Sequence, residues 1–281
     1  MRKLDPQFFR DSESRRTLKA AFFSDIHLGS PFCHARALAD ELAVVDCDTL
    51  YLLGDVFDLE RMRRKRMTFG ADEARVLARL REIKRSGTRV VFIPGNHDAE
   101  FRLAVGSTLS FMEVRRRMVV TMAAGKRLLL THGDDFDRFL PKRDALIELG
   151  DHLYEPILHM NAFIQRRRDA RGLKYWSFAA WFKSLSRKAE IYIAQFEQIA
   201  ARTARAHGCD GVICGHIHRP ALKLIDGILY ANDGDWVESL SYLSESQSGL
   251  LSLHHAGATR SAQQRAQTLP QAEVTAALLQ P

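Results

Sequence analysis

Asp, His and Asn side chains recur in this chain wherever an apolar run ends. "DIH" sets Asp25 and His27 two residues apart, "GD" ends on Asp55, and "GNHD" places Asn96, His97 and Asp98 in a row. "THGD" adds His132 and Asp134, and "GHIH" adds His216 and His218. Imidazole, carboxylate and amide oxygen together suit borderline divalent ions such as Mn, Fe, Zn or Co. No cysteine ligand motif accompanies them, which argues against a structural zinc site. Asp25, His27, Asp55, Asn96, His132, His216 and His218 are too many ligands for one catalytic ion that keeps an open position. They suit two ions sharing a carboxylate. Such a pair, about 3.5–4 Å apart, clamps the attacking and leaving oxygens of a displacement at phosphorus.

Each stretch alone has an ordinary explanation. Gly-Asp is common turn chemistry, and a strand-end histidine is usually a hydrogen-bonded surface group. Of 11 histidines, however, His27, His97, His132, His216 and His218 all fall in these stretches, each after an apolar run. Jointly they point to a metal site.

The runs that must position these groups are short, apolar and closed by turn residues, and so read as strands. They are Leu18–Asp25, Thr49–Asp55, Arg89–Asn96, Lys126–Gly133, Asp210–His216 and Gly227–Asp235. Helical patterns begin at Ala35 and Ala71, the second stopping at Gly87. Strand and helix in alternation predict right-handed crossovers, a covered sheet, and ligands gathered at the carboxyl ends of its strands. Residues 138–207 depart from this pattern, with few glycines and many Arg, Lys and aromatic residues. From Phe178, the residues Trp181, Leu185, Ala189, Tyr192, Phe196 and Ile199 recur at a three-or-four spacing, which predicts an amphipathic helix. This region reads as a helical insertion capping the α/β core. Residues 258–281 lack a core pattern and read as a loose, disordered tail.

With 281 residues, 46% of them hydrophobic and 27% charged, the chain has an ordinary globular composition. A net charge of +7 favours phosphorylated substrates, nucleic acid or an anionic membrane surface. No run approaches the ~18 apolar residues of a membrane span, and no apolar segment follows the N-terminal charges as in a signal peptide. Four cysteines without a CxxC pair read as reduced. The expected location is the cytoplasm, with peripheral contact at the inner face of the membrane. Arg61–Arg66 and Arg166–Arg171 are either solvated faces or grips for a diphosphate or lipid headgroup. Proximity to the Asp55 loop favours the second reading for Arg61–Arg66.

In order, "DIH", "GDVFD", "GNHD", "THGD" and "GHIH" resemble the motif series of the calcineurin-like metallophosphoesterase superfamily, over Ser24–His218. The resemblance implies an α/β fold, a four-layer α/β/β/α sandwich with a helical cap insertion, spanning residues 18–257. It implies Asp25, His27 and His218 on one metal and Asn96, His132 and His216 on the other, with Asp55 bridging. His97 would stabilise phosphoryl charge or protonate the leaving oxygen, and Asp98 would orient His97. "GDVFDL", "HGDDFD", the insertion and "NDGDWVES" (Asn232–Ser239) are most similar to the UDP-2,3-diacylglucosamine pyrophosphatase family.

That similarity implies a lipid A biosynthesis enzyme that uses two divalent ions, Mn ahead of Fe or Zn. It would hydrolyse the diphosphate of a nucleotide-linked diacyl sugar, by attack of a metal-bound hydroxide, to UMP and a lipid sugar phosphate. Asp134, Arg61, Arg64, Tyr175 and Trp176 are then candidates for substrate contact, although most apolar side chains of the insertion would simply pack it on the core. The best-known branch of the family has Arg where this chain has His97. Two other readings stand beside this one. A phosphodiesterase or nuclease acting on another nucleotide or phospholipid is disfavoured by the apolar insertion and the lack of a nucleic-acid-binding motif. A non-catalytic scaffold is disfavoured by the complete ligand set.

Overall fold

The computed structural model describes residues 16–65, 69–140 and 187–257. Its layering follows from the alternation of side chains along each strand. In β1 (Arg16–Phe23), Ala21 and Phe23 face one core and Ala20 and Phe22 face another. In and just beyond β2 (Val45–Leu52), Leu50 and Leu52 are set against Tyr51 and Leu53 in the same way. Val90 and Phe92 of β3 (Arg89–Phe92) are set against Val91 and Ile93. Strands buried on both faces read as continuous apolar runs, which is why these runs stand out in the sequence.

The first core lies beneath α1 (Ala35–Leu42) and α3 (Ala71–Arg85), which bury Leu38, Leu42, Val76 and Leu80. Between them in the chain, α2 (Leu59–Lys65) follows the Asp55 loop. The remaining strands are β4 (Thr108–Leu109), β5 (Met112–Val114), β6 (Met118–Thr121), β7 (Arg127–Leu130), β8 (Gly211–Cys214), β9 (Ala221–Ile225), β10 (Ile228–Asn232), β11 (Ser241–Ser246) and β12 (Leu251–His255). One sheet has the order β12-β11-β1-β2-β3-β5-β4, with β1, β2, β3 and β5 parallel. The other has the order β6-β7-β8-β10-β9, with β7, β8 and β10 parallel. Phe22, Tyr51 and Val91 meet Leu128, Leu130, Ile213 and Leu229 between the two sheets. Each large apolar side chain buried there contributes about 1.5–3 kcal/mol.

A third core lies behind the second sheet. Leu129, Val212 and Tyr230 pack on Phe196, Ala200 and Ala204 of α4 (Arg187–Ala206). Three cores separate four layers, and the expected α/β/β/α sandwich is observed. The predicted stripe through Phe196 and Ile199 is real, but it packs α4 onto the second sheet. The end of the segment read as an insertion is therefore a layer of the core itself. Residues 141–186 of that segment, including Tyr175, Trp176 and the basic run Arg166–Arg171, lie outside the described residues, as do 258–281. Among the described residues, no helix is long and apolar enough to cross a membrane.

Candidate metal centre

The parallel strands of both sheets deliver their loops to one edge, where backbone and side chains tie the loops together. Asp25 N–H donates to Gly54 O at 3.0 Å, Gly215 N–H to His132 O at 3.0 Å, and His216 N–H to Asp25 Oδ2 at 2.8 Å. Asp25, His27, Asp55, His216 and His218 all adopt left-handed backbone, with φ of 49°, 53°, 50°, 72° and 52°. This conformation costs of order 1–3 kcal/mol per non-glycine residue and is retained where a site requires it. Gly95 and Gly215 make the crowding possible. A side chain at Gly95 would collide with Asp55 and His132, and one at Gly215 with Ser24 and Asp25.

Among the described residues, three sets of side chains each bring ligand atoms within 4.8 Å of one another: Asp25, His27 and His218; His27, Asp55 and His97; and Asp55, His132 and His216. Asp25 Oδ1 is buried, has no hydrogen-bond donor, and lies 3.1 Å from His218 Nε2. His27 Nε2 lies 3.4 Å from the same nitrogen. His132 donates Nδ1–H to Leu53 O at 2.8 Å. Its Nε2 is thereby left 3.3 Å from Asp55 Oδ2 and 3.3 Å from Asn96 Oδ1. Carboxylate oxygens, an amide oxygen and imidazole nitrogens converging in this way fit cations. Asn96 thus joins the six Asp and His residues expected as ligands.

The electrostatics agree. Burial pushes His27 down to about 4, so its imidazole is neutral and free to ligate. Burial also opposes charge on His132, but Asp55 and Asp25 hold it well above the ordinary histidine range. Burial works against Asp55 too, yet His132 and His27 hold its carboxyl well below the usual range. Facing carboxylates that retain a proton on His132 would hold a metal ion instead, releasing that proton.

His97 is partly exposed, and its Nδ1 lies 3.3 Å from Asp58 Oδ1. Burial lowers its basicity, but the Asp58 hydrogen bond and the Asp55 charge outweigh this and raise it above the ordinary range. Asp98, expected to orient His97, has a different task. Its Oδ1 accepts from Gly95 N–H (2.7 Å) and Asp55 N–H (3.3 Å), and its Oδ2 from Val56 N–H (2.8 Å) and Phe57 N–H (3.2 Å). Asp98 is buried beneath the Asp55 loop and locks it to the "GNHD" turn. Asp58 is the residue that faces His97.

Among the described residues, the substrate candidates Asp134, Arg61 and Arg64 each have a partner of their own. Asp134 accepts from Arg102 Nη2 at 2.6 Å, joining the "HGDD" turn to the segment after "GNHD". The Arg61 guanidinium lies 5.2 Å above the Phe32 ring, and Arg64 pairs with Glu60 on the surface at 2.5 Å. Sequence reasoning missed Asp58, Ser24, Asp137 and Asp233. Ser24 Oγ lies 2.5 Å from Asp25 Oδ2 and 2.6 Å from Asp233 Oδ1. One hydroxyl hydrogen cannot serve both oxygens. Burial holds the Asp233 carboxyl well above the usual range, which favours placing a second proton there. Ser24, Asp58 and Asp137 sit inside or beside the recognised motifs, and that proximity was the available signal.

The calcineurin-like phosphoesterase profile matches residues 18–220. A UDP-2,3-diacylglucosamine hydrolase of Chromohalobacter salexigens is 30% identical over 215 residues, covering 71% of this chain and 79% of its own length. One from Xanthomonas campestris pv. campestris is 28% identical over 258 residues, covering 82% and 96%. Among solved structures, the E. coli phosphoesterase Yfce aligns at 19% identity with a TM-score of 0.42, covering 85% of this chain and 93% of that one.

Proposed function

The chain belongs to the calcineurin-like phosphoesterase family, and from that premise we propose that it hydrolyses the diphosphate of a UDP-diacylglucosamine-type lipid to UMP and a lipid sugar phosphate. The observation that carries the hydrolase reading is the position of Asp55, whose carboxylate belongs to the His27 set and to the His132 and His216 set. A carboxylate shared in this way is what two neighbouring ions require. The lipid substrate is supported by the names of the relatives.

Asp25, His27 and His218 would hold one divalent ion and Asn96, His132 and His216 the other, with Asp55 between them and Mn as the preferred metal. When bound, such ions acidify water and neutralise charge on the phosphoryl oxygens. The chain supplies the rest. Asp58 fixes the ring of His97 through Nδ1, which leaves Nε2 to hold a proton for the leaving oxygen. Asp98 keeps the Asp55 loop and the His97 turn in register through four backbone N–H groups. His97 therefore supplies a positive charge at the place where the better-known branch has Arg.

The test is UMP release from UDP-2,3-diacylglucosamine by the Mn-loaded protein, with Asp55→Ala as the blank. Release by the wild type alone supports the reading. Cleavage of bis(p-nitrophenyl) phosphate without UMP release would remove the lipid substrate and leave the phosphoesterase chemistry. A diacylated substrate resides in a membrane, so peripheral contact with an anionic bilayer belongs to the same proposal. Failure to float with anionic liposomes at low salt would remove that contact.

A further inference from the structure

His216 stands in the Asp55 and His132 set, yet its Nε2 is already engaged, 2.9 Å from Asp137 Oδ2. Asp137 lies on the 3-10 turn Asp134–Phe139, which directly follows His132 and Gly133. The turn is anchored by Phe136, buried against Phe196 of α4 with ring centroids 5.4 Å apart. The Phe196 ring also lies 5.9 Å from that of His216. From α4, Tyr192 donates its O–H to Asp137 Oδ1 at 2.8 Å. Both oxygens of Asp137 are therefore directed, one by the helix and the other at the imidazole.

We propose that Asp137 is a positioning residue for the second ion site, holding the proton on His216 Nε2 so that Nδ1 keeps its lone pair for the metal, with Tyr192 fixing the carboxylate. The inference rests on the two-ion reading above. Its physical basis is that a ring hydrogen bond sets which nitrogen of a histidine carries the proton. A carboxylate partner also fixes the ring's orientation and raises the basicity of the ligating nitrogen, and losing such a partner costs about 10–100-fold in metal affinity or activity. The site is thereby tied to α4 as well as to the strand ends.

The experiment is calorimetric titration of the metal-free full chain with Mn(II), for the wild type, Asp137→Asn, Asp137→Glu and Tyr192→Phe, each first checked for native circular dichroism. A wild type that takes up fewer than two ions defeats the two-ion reading itself. With two wild-type ions, Asp137→Asn is expected to weaken one of them about 10–100-fold and leave the other unchanged. Tyr192→Phe should weaken the same ion less, and Asp137→Glu should restore part of the loss. In the Zn-loaded protein labelled with ¹⁵N-histidine, the His216 Nε2–H signal should be present in the wild type and displaced in Asp137→Asn. Wild-type titration of Asp137→Asn, equal weakening of both ions, or a His216 ring protonated at Nδ1 in the wild type would each overturn the proposal.

Discussion

The two ligand clusters are held in different ways. Asp25, His27 and His218 are secured by strand-end loops and the "NDGDW" segment. Trp236 N–H donates to Asp25 O at 3.0 Å, Asn232 Nδ2 to Gly215 O at 2.7 Å, and the Asp233 carboxyl meets Ser24. His132 and His216 share those loops but are also tied, through Asp137 and Tyr192, to α4. The contacts to the ligands of the first cluster thus come from loops at the sheet edge, with α4 reaching only the neighbouring Arg219 through Glu190 at 3.0 Å, whereas in the second a ligand itself, His216, is linked to that outermost layer. A break in the Tyr192–Asp137–His216 link should reach one ion and spare the other.

The largest effect tests what the clusters share. Asp55→Ala should abolish turnover and weaken both ions, as measured by UMP release and metal analysis of the purified variant. An active Asp55→Ala protein would dissolve the link between the clusters. His97→Ala should retain both ions while slowing turnover by about 10²–10⁴-fold, the range for loss of a general acid. Metal loss in that variant would instead make His97 a ligand, as its place beside His27 and Asp55 allows.

Ser24→Ala is the counterpart of Asp137→Asn. It should weaken the ion at Asp25 about tenfold or more and leave the other intact, since it removes the hydroxyl that orients one Asp25 oxygen. If Ser24→Ala and Asp137→Asn weaken the same ion, the clusters are not held independently. The smallest effect is expected from Asp58→Asn and is best read from pH. In the proposed mechanism His97 acts in its protonated form, so activity should fall as pH rises through its pKa. The Asp58 hydrogen bond raises that pKa, so Asp58→Asn should move the alkaline limb of the kcat profile to lower pH. An unmoved limb would separate Asp58 from the acid.

Burial explains how much of this was legible. The C-terminal parts of β1 and β2, and β3 beyond Arg89, are buried on both faces, so "AAFF", "LYLL" and "VVFI" appear as apolar runs, and the ligands follow directly after them. β11 is also buried, but it reads "SYLSES" and eluded hydropathy because its polar groups are satisfied internally. Ser241 Oγ donates to Asp233 O at 2.8 Å, Ser244 Oγ lies 2.7 Å from His254 Nε2, and Glu245 Oε1 accepts from Ala123 N–H at 2.6 Å. α4 was visible as a periodic stripe, but periodicity carries no address, and its docking on the second sheet was not visible.

By itself, the sequence determined the ligand types, their order and their delivery to one sheet edge, because each ligand is covalently joined to the strand that places it. Only the tertiary structure decided which groups support them. Asp98 is the neighbour of His97 in the chain, yet its carboxylate turns inward to four backbone N–H groups, and Asp58, 39 residues earlier, supplies the contact to His97. The same holds for Asp233 beside Ser24, Asp137 beside His216 and Tyr192 beside Asp137. Hydrogen bonds between side chains act over about 3 Å of space, and adjacency in space between residues far apart in the chain exists only once the layers have packed.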